Sequence, residues 1–202
     1  MTKAIVLGGS RGIGKAISDA LKTIEIDVFA ASKKDIDTSD LKSVKKFLEK
    51  NTQTDILVLN TGGPSPKPFL TITEEDWNLY HNQLFLGFVT VLQNIKINDD
   101  GYIFLISSNV IKEPNAKLII SSAYRAAFTE VFKVLLRNIK YRLYCNAVFQ
   151  NVKKKPYKQY KLVLKKPEIF VKIIVNYLKI KMKITSQLFP KHQKFKIFLK
   201  IN

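Results

Sequence analysis

Residues 4–21 read AIVLGGSRGIGKAISDAL, and they restrict the possible folds more than any other stretch of the chain. Ala4, Ile5, Val6 and Leu7 form an apolar run of the length of a buried parallel strand. Gly8, Gly12 and Gly14 mark a turn behind it, after which Ile13, Ala16, Ile17, Ala20 and Leu21 recur at helical spacing. Strand, glycine turn and helix in this order suit the pyrophosphate of a dinucleotide. Glycines let the backbone come close to the phosphates, while the first helical N–H groups and the helix dipole stabilise their charge. The same pattern also serves as a plain strand-to-helix turn with no ligand.

The spacing is G-x-x-x-G-x-G rather than G-x-G-x-x-G. With SRGIG it resembles the start of the short-chain dehydrogenase/reductase family. The resemblance implies cofactor contacts from Gly8, Ser10, Arg11, Gly12, Ile13 and Gly14.

Apolar runs at residues 26–31, 55–60, 102–107, 143–149 and 184–189 read as further strands. Helical patterns stand between them at 41–48, 73–94, 119–139 and 167–178, with Thr73 and Asp76 spaced as a capping box. This alternation predicts a Rossmann-type α/β sandwich of three layers, a doubly wound parallel sheet of about seven strands. A chain of 202 residues that is 46% hydrophobic suits a single domain, 1–202. Two departures from the family are expected. The helix after the second strand is trimmed away, and the substrate-covering segment 149–166 is short and basic, with Gln150-Asn151 where the family has Pro-Gly.

The end of the second strand bears on cofactor choice. An acidic residue about 20 positions past the glycines would bond the ribose 2′-OH of NAD. Ser32, Lys33 and Lys34 stand there instead and would attract a 2′-phosphate, with Arg11 as a second cation, so NADP(H) is favoured over NAD(H). Asp37 resembles the family's adenine-contacting Asp at the end of its third strand, and suits equally a helix N-cap for 41–48. Asn60, Thr61 and Gly62 resemble the family's Asn-Ala-Gly turn beside the cofactor.

The resemblance further implies a Ser, a Tyr and a Lys around a carbonyl facing the nicotinamide, with an Asn supporting the Lys. Hydride delivery leaves an alkoxide, which needs an acid within hydrogen-bond reach. Ser108 matches the serine. Thirteen residues on, Ser121 stands where the Tyr is expected, and Arg125 stands at the Lys position, within Ser121-Ser122-Ala123-Tyr124-Arg125-Ala126-Ala127. Leu84 occupies the Asn position. Another register makes Tyr124 the family tyrosine but puts Phe128 at the lysine. Ser121, Tyr124 and Arg125 share a helix face, so a displaced phenol beside a guanidinium is a candidate acid. Tyr124 is equally read as an aromatic at a helix contact and Arg125 as a phosphate-facing cation. The catalytic candidates are therefore Ser108, Tyr124 and Arg125, and the pattern is similar to a divergent, ketoacyl-reductase-like branch with an incomplete tetrad.

The expected activity is NADP(H)-dependent oxidation or reduction of a small-molecule carbonyl/alcohol pair. The alternative is a catalytically impaired nucleotide-binding protein with a regulatory or assembly role. The net charge of +18 is uneven: residues 1–110 carry 12 basic and 13 acidic side chains, residues 111–202 carry 22 and 3. Such asymmetry marks either solvated basic faces or a polyanion surface, but no nucleic-acid motif accompanies it, so no specific nucleic acid is expected. His81 and His192 have no metal-ligand partners in the sequence, and no metal is expected. Cys145, the only cysteine, excludes an internal disulfide. No signal-like segment precedes the first strand and no apolar run reaches the roughly 20 residues of a membrane span, so a cytoplasmic location is expected. Helices 73–94 and 119–139 are expected to form a homodimer or homotetramer through Phe85, Leu86, Phe88, Phe128, Val131 and Leu135.

Overall fold

The computed structural model of the chain describes residues 1–138 and 142–146. Strand β1 (Lys3–Leu7) leads through helix α1 (Gly12–Lys22) to β2 (Asp27–Ala31), and α2 (Leu41–Lys50) precedes β3 (Gln53–Leu59). A helical stretch follows in three parts: α3 (Glu74–His81), a π-helical turn (Asn82–Leu86) and α4 (Gly87–Asn94). Then come β4 (Lys96–Ile106), α5 (Ile119–Asn138) and β5 (Arg142–Asn146). The five strands form one parallel sheet in the order β2-β1-β3-β4-β5.

The period of two in each apolar run builds the layers. Ile5 and Leu7 of β1, Leu57 and Leu59 of β3, and Ile103 and Leu105 of β4 face one way, against Val44 and Phe47 of α2, Phe88 and Val91 of α4, and Phe128 and Phe132 of α5. Their neighbours Ala4, Val6, Ile56, Val58, Phe104 and Ile106 face the other way, against Ile17 and Leu21 of α1. Burial on both faces is why these runs are continuous rather than alternating.

Three expectations change in detail. The family's third strand, to whose end Asp37 is matched, does not form: the chain turns between β2 and α2, so β2 is one edge of the described sheet. β4 begins at Lys96, and its register to β3 jumps from Thr54↔Ile97 to Ile56↔Tyr102. The bulge needs Gly101, because a Cβ there would lie 2.6 Å from the Asp55 carbonyl oxygen. Phe88 and Phe128, expected at a subunit interface, are instead buried inside the chain, because both point down onto the sheet. The expected helix at 167–178, the strand at 184–189 and the segment 149–166 lie outside the described residues.

Candidate functional site

The sheet order reverses beside β1: the chain leaves β1 for β2 on one side and returns to β3 on the other. A crevice opens at the carboxyl ends of strands at such a point. Gly8 ends β1 there, and Asn60 ends β3 and donates its side-chain amide to the Gly8 carbonyl at 3.3 Å. Gly8 has φ +59° and Gly12 φ +56°, both in the left-handed region. A Cβ on Gly14 would lie 2.1 Å from the Gly8 carbonyl oxygen, so only glycine lets α1 start this close to β1. Over Gly12, by contrast, a Cβ would meet nothing within 4 Å. The amide of Gly9 donates to the Ala31 carbonyl at 2.8 Å and ties the turn to the end of β2. α1 carries no side-chain cap and no acidic residue in its first turn, and Ser10, Arg11 and Gly12 are exposed. Tight backbone, open space above it and uncapped N–H groups are what a pyrophosphate requires.

Past β2, the Asp35 carboxylate accepts from the Ser32 amide at 2.8 Å and from the Ser32 hydroxyl at 2.6 Å. These bonds hold the Asp35 carboxyl below its ordinary pKa. The Ser32 hydroxyl is thus already engaged by a carboxylate that the sequence reading missed. Lys33 pairs with Asp37 at 3.1 Å, but its side chain is 80% exposed, so the pair exchanges readily with other anions. Burial pushes the Asp37 carboxyl up; the Ser39 hydroxyl and amide, with Lys33, outweigh it and leave it lowered. The helix cap proper is Asp40, which accepts from the Lys42 amide at 2.9 Å.

The turn after β3 is held from three sides. Thr38 and Gln83 reach the Thr61 hydroxyl, each at 3.3 Å, and Gln83 also donates to the Gly62 carbonyl at 3.2 Å. From α5, the Arg125 guanidinium donates to the Gly62 carbonyl at 3.2 Å and to the Thr61 carbonyl at 3.4 Å. Its Nε–H reaches Ser121 Oγ at 3.2 Å and its other terminal nitrogen the Ile106 carbonyl at 3.5 Å. Arg125 is only 7% exposed, and no carboxylate among the described residues pairs with it. Burial pulls its pKa down to about 10, which leaves it cationic at neutral pH. Among the described residues, three main-chain carbonyls and the Ser121 hydroxyl oxygen offset this buried positive charge beside the crevice.

Tyr124 faces another way. Its ring sits edge-on to Trp77, with centroids 5.7 Å apart, and tilted on His81 at 5.4 Å. Burial raises the pKa of its phenol. Leu84, at the position of the family's Asn, is fully buried in the π-helical turn. The neighbouring amide of Gln83, in the same π-helical turn, makes the polar contacts instead. Gln83 was invisible to spacing counted on a regular helix. Ser108 lies two residues past the end of β4, is 8% exposed, and its side chain does not cap the short helical turn Asn109–Ile111 that it starts. No group of metal ligands exists among the described residues, and no described helix is long and apolar enough to cross a membrane.

Strand order, switch point and glycine turn define a doubly wound α/β domain of the dinucleotide-binding kind. More narrowly, the fold is the one seen in solved short-chain dehydrogenase/reductases. No family model matches the sequence, and no curated protein matches it. Solved structures do. A small-chain dehydrogenase is 26% identical, with TM-score 0.62 over 68% of this chain and 76% of its own. A small-chain dehydrogenase in complex with NADPH is 26% identical, with TM-score 0.60 over 68% of this chain and 64% of its own. A short-chain dehydrogenase/reductase from Serratia marcescens is 20% identical, with TM-score 0.70 over 88% of each chain.

Proposed function

We propose that the protein is an NADP(H)-dependent oxidoreductase acting on a small carbonyl/alcohol pair. The glycine cradle at the switch point carries this reading: a Cβ on Gly14 would collide with Gly8, yet the space over Gly12 is empty, as a bound pyrophosphate needs. Gly8, Ser10, Arg11, Gly12, Ile13 and Gly14 would hold the pyrophosphate, and Asn60, Thr61 and Gly62 would flank the nicotinamide half. The cofactor would supply or accept the hydride. Lys33, Arg11 and, once Asp35 releases it, Ser32 would meet a 2′-phosphate, with Asp37 near the adenine. The small-chain dehydrogenase solved with NADPH supports the choice of NADP(H). Ser108 would bond the substrate oxygen, and the buried Arg125 cation would favour negative charge developing there. The hydroxyl that gives or takes the proton is assigned to α5, where Tyr124 and Ser121 are the candidates.

A second reading, a nucleotide-binding protein with little turnover, draws on one observation: every described hydrogen bond from Arg125 goes to a main-chain carbonyl or to Ser121. Fluorescence titration with NADPH followed by a panel of aldehydes, ketones and diketones separates the two. The oxidoreductase reading expects binding and turnover. Binding with no turnover selects the second reading, and no binding removes both.

A further inference from the structure

Strand β2 is one edge of the described sheet, and among the described residues it pairs only with β1. The Asp27 amide donates to the Thr2 carbonyl at 3.0 Å, and the Ala31 carbonyl accepts from the Gly9 amide at 2.8 Å. Positions 27, 29 and 31 therefore turn their main-chain groups toward β1. The alternation of a strand turns the amides and carbonyls of Val28 and Ala30 the other way, four outward groups with no described partner.

The edge carries none of the usual protection. No lysine, proline or bulge interrupts Asp27–Ala31, and the Phe29 ring, stacked on Phe47 with centroids 5.8 Å apart, is 40% exposed. Charge stands at the two ends and differs in sign. Glu25 and Asp27 are exposed at the start, Lys33 and Lys34 at the finish, where Asp35 is turned back onto Ser32.

The groups already in use set a register. The Ile26 amide donates to the Leu21 carbonyl at 3.3 Å and the Ser32 amide to Asp35 at 2.8 Å, so neither can extend a ladder outward. A second copy laid antiparallel, with Val28 opposite its Ala30, is the one antiparallel alignment that satisfies all four outward groups of each strand. It makes four hydrogen bonds about a two-fold axis. Phe29 then falls on the axis, in the closely spaced position beside Phe29 of the second copy, where an aromatic pair covers both rings. Glu25 and Asp27 meet the end of the second copy that carries Lys33 and Lys34, acid against base on both sides of the axis. A parallel neighbour would set like charges together.

We propose that the outer edge of β2 is a homodimer interface, at which two copies join their sheets antiparallel about Phe29. The occupant is a second copy of this chain, and the contact is separate from helices 73–94 and 119–139.

Sedimentation equilibrium of the full-length chain at micromolar concentrations tests this, and should show monomer and dimer in exchange. Ala30→Pro removes an outward amide at an edge position where proline is tolerated. The symmetry doubles its effect to two hydrogen bonds, so the dimer dissociation constant should rise about 25-fold, at about fivefold for each bond. Glu25→Lys with Asp27→Lys makes both ends of the edge basic, and Lys33→Glu with Lys34→Glu makes both acidic. Each of these double variants should be monomeric alone, and the two should form a heterodimer when mixed, which also shows that both are folded. A wild type that stays monomeric, a dimer unchanged by Ala30→Pro, or double variants that do not associate on mixing each overturns the proposal.

Discussion

Gly14 and Gly12 stand two residues apart in the same turn, yet substituting them should have different consequences. At Gly14 an added methyl would meet the Gly8 carbonyl oxygen at 2.1 Å, a backbone atom that can move only by shifting β1 or α1. Gly14→Ala should cost about 3 kcal/mol, the upper end of ordinary overpacking, and abolish NADPH binding. At Gly12 the methyl meets nothing, and the cost is the left-handed backbone alone, about 1–2 kcal/mol. Urea midpoints of the two variants should separate accordingly, and equal losses would refute the steric account. Asp35 makes a second residue-level case. Its carboxylate occupies the Ser32 amide and hydroxyl and stays ionised at all working pH, since those bonds lower its pKa. An anion there opposes a 2′-phosphate, so Asp35→Ala should tighten NADPH two- to fivefold, as about 0.3–1 kcal/mol of exposed electrostatics implies, and leave NADH unchanged. The glycine turn was legible because each glycine meets a local steric demand. Asp35 was not, because no spacing rule says which of three neighbouring acids will turn back onto Ser32.

Helix α3 owes its start to side chains that local sequence rules do identify. Thr73 accepts from the Asp76 amide and Asp76 from the Thr73 amide, the reciprocal pair expected from their spacing. Lys67, from the proline-rich loop, adds an ion pair with Asp76. Thr73→Ala should cost about 1 kcal/mol, visible as a lowered urea midpoint. The Lys67 hydrogen bond and the Thr73 amide hold the Asp76 carboxyl below its ordinary 3.8. A carboxyl lowered on folding stabilises fully above its unfolded pKa, and that stabilisation is lost as pH falls through the lowered value. Carboxyl NMR should therefore find Asp76 titrating below 3.8, and Lys67→Met should move the titration upward; no movement would show that the ion pair does not form in solution. The rest of this stretch resisted reading. Counting seven residues from Trp77 arrives at the buried Leu84, whereas the side chain that reaches Thr61 and Gly62 is Gln83, one position earlier, and residue spacing alone does not tell which of the two turns toward β3. The bulge in β4 likewise hides within an apolar run, betrayed only by Gly101.

At the scale of the whole molecule, the parallel sheet and its layers were readable because uninterrupted apolar strands can be buried only between two helical layers, and here both faces are covered. The interface residues were not readable, since Phe88 and Phe128 satisfy the same apolar pattern whether they face a partner or the sheet. The same architecture sets what cofactor binding should do to stability. The crevice gathers the ends of β1, β2 and β3 with the starts of α1 and the π-turn: Gly9 is bonded to Ala31, Asn60 to Gly8, and Gln83 to Gly62. A ligand seated there touches segments that part only when the sheet itself unfolds, so its binding energy adds to global rather than local stability. At a concentration one hundred times the dissociation constant, that gain is about 2.7 kcal/mol. For a domain of this size it corresponds to a rise in Tm of about 5–11 °C. NADPH should produce this shift, and NADH at equal concentration a smaller one, because Lys33 and Arg11 find no 2′-phosphate on it. A larger shift with NADH would reverse the cofactor assignment. A shift with neither would leave the glycine turn as a structural bend only, and would show that the open space over Gly12 serves no ligand.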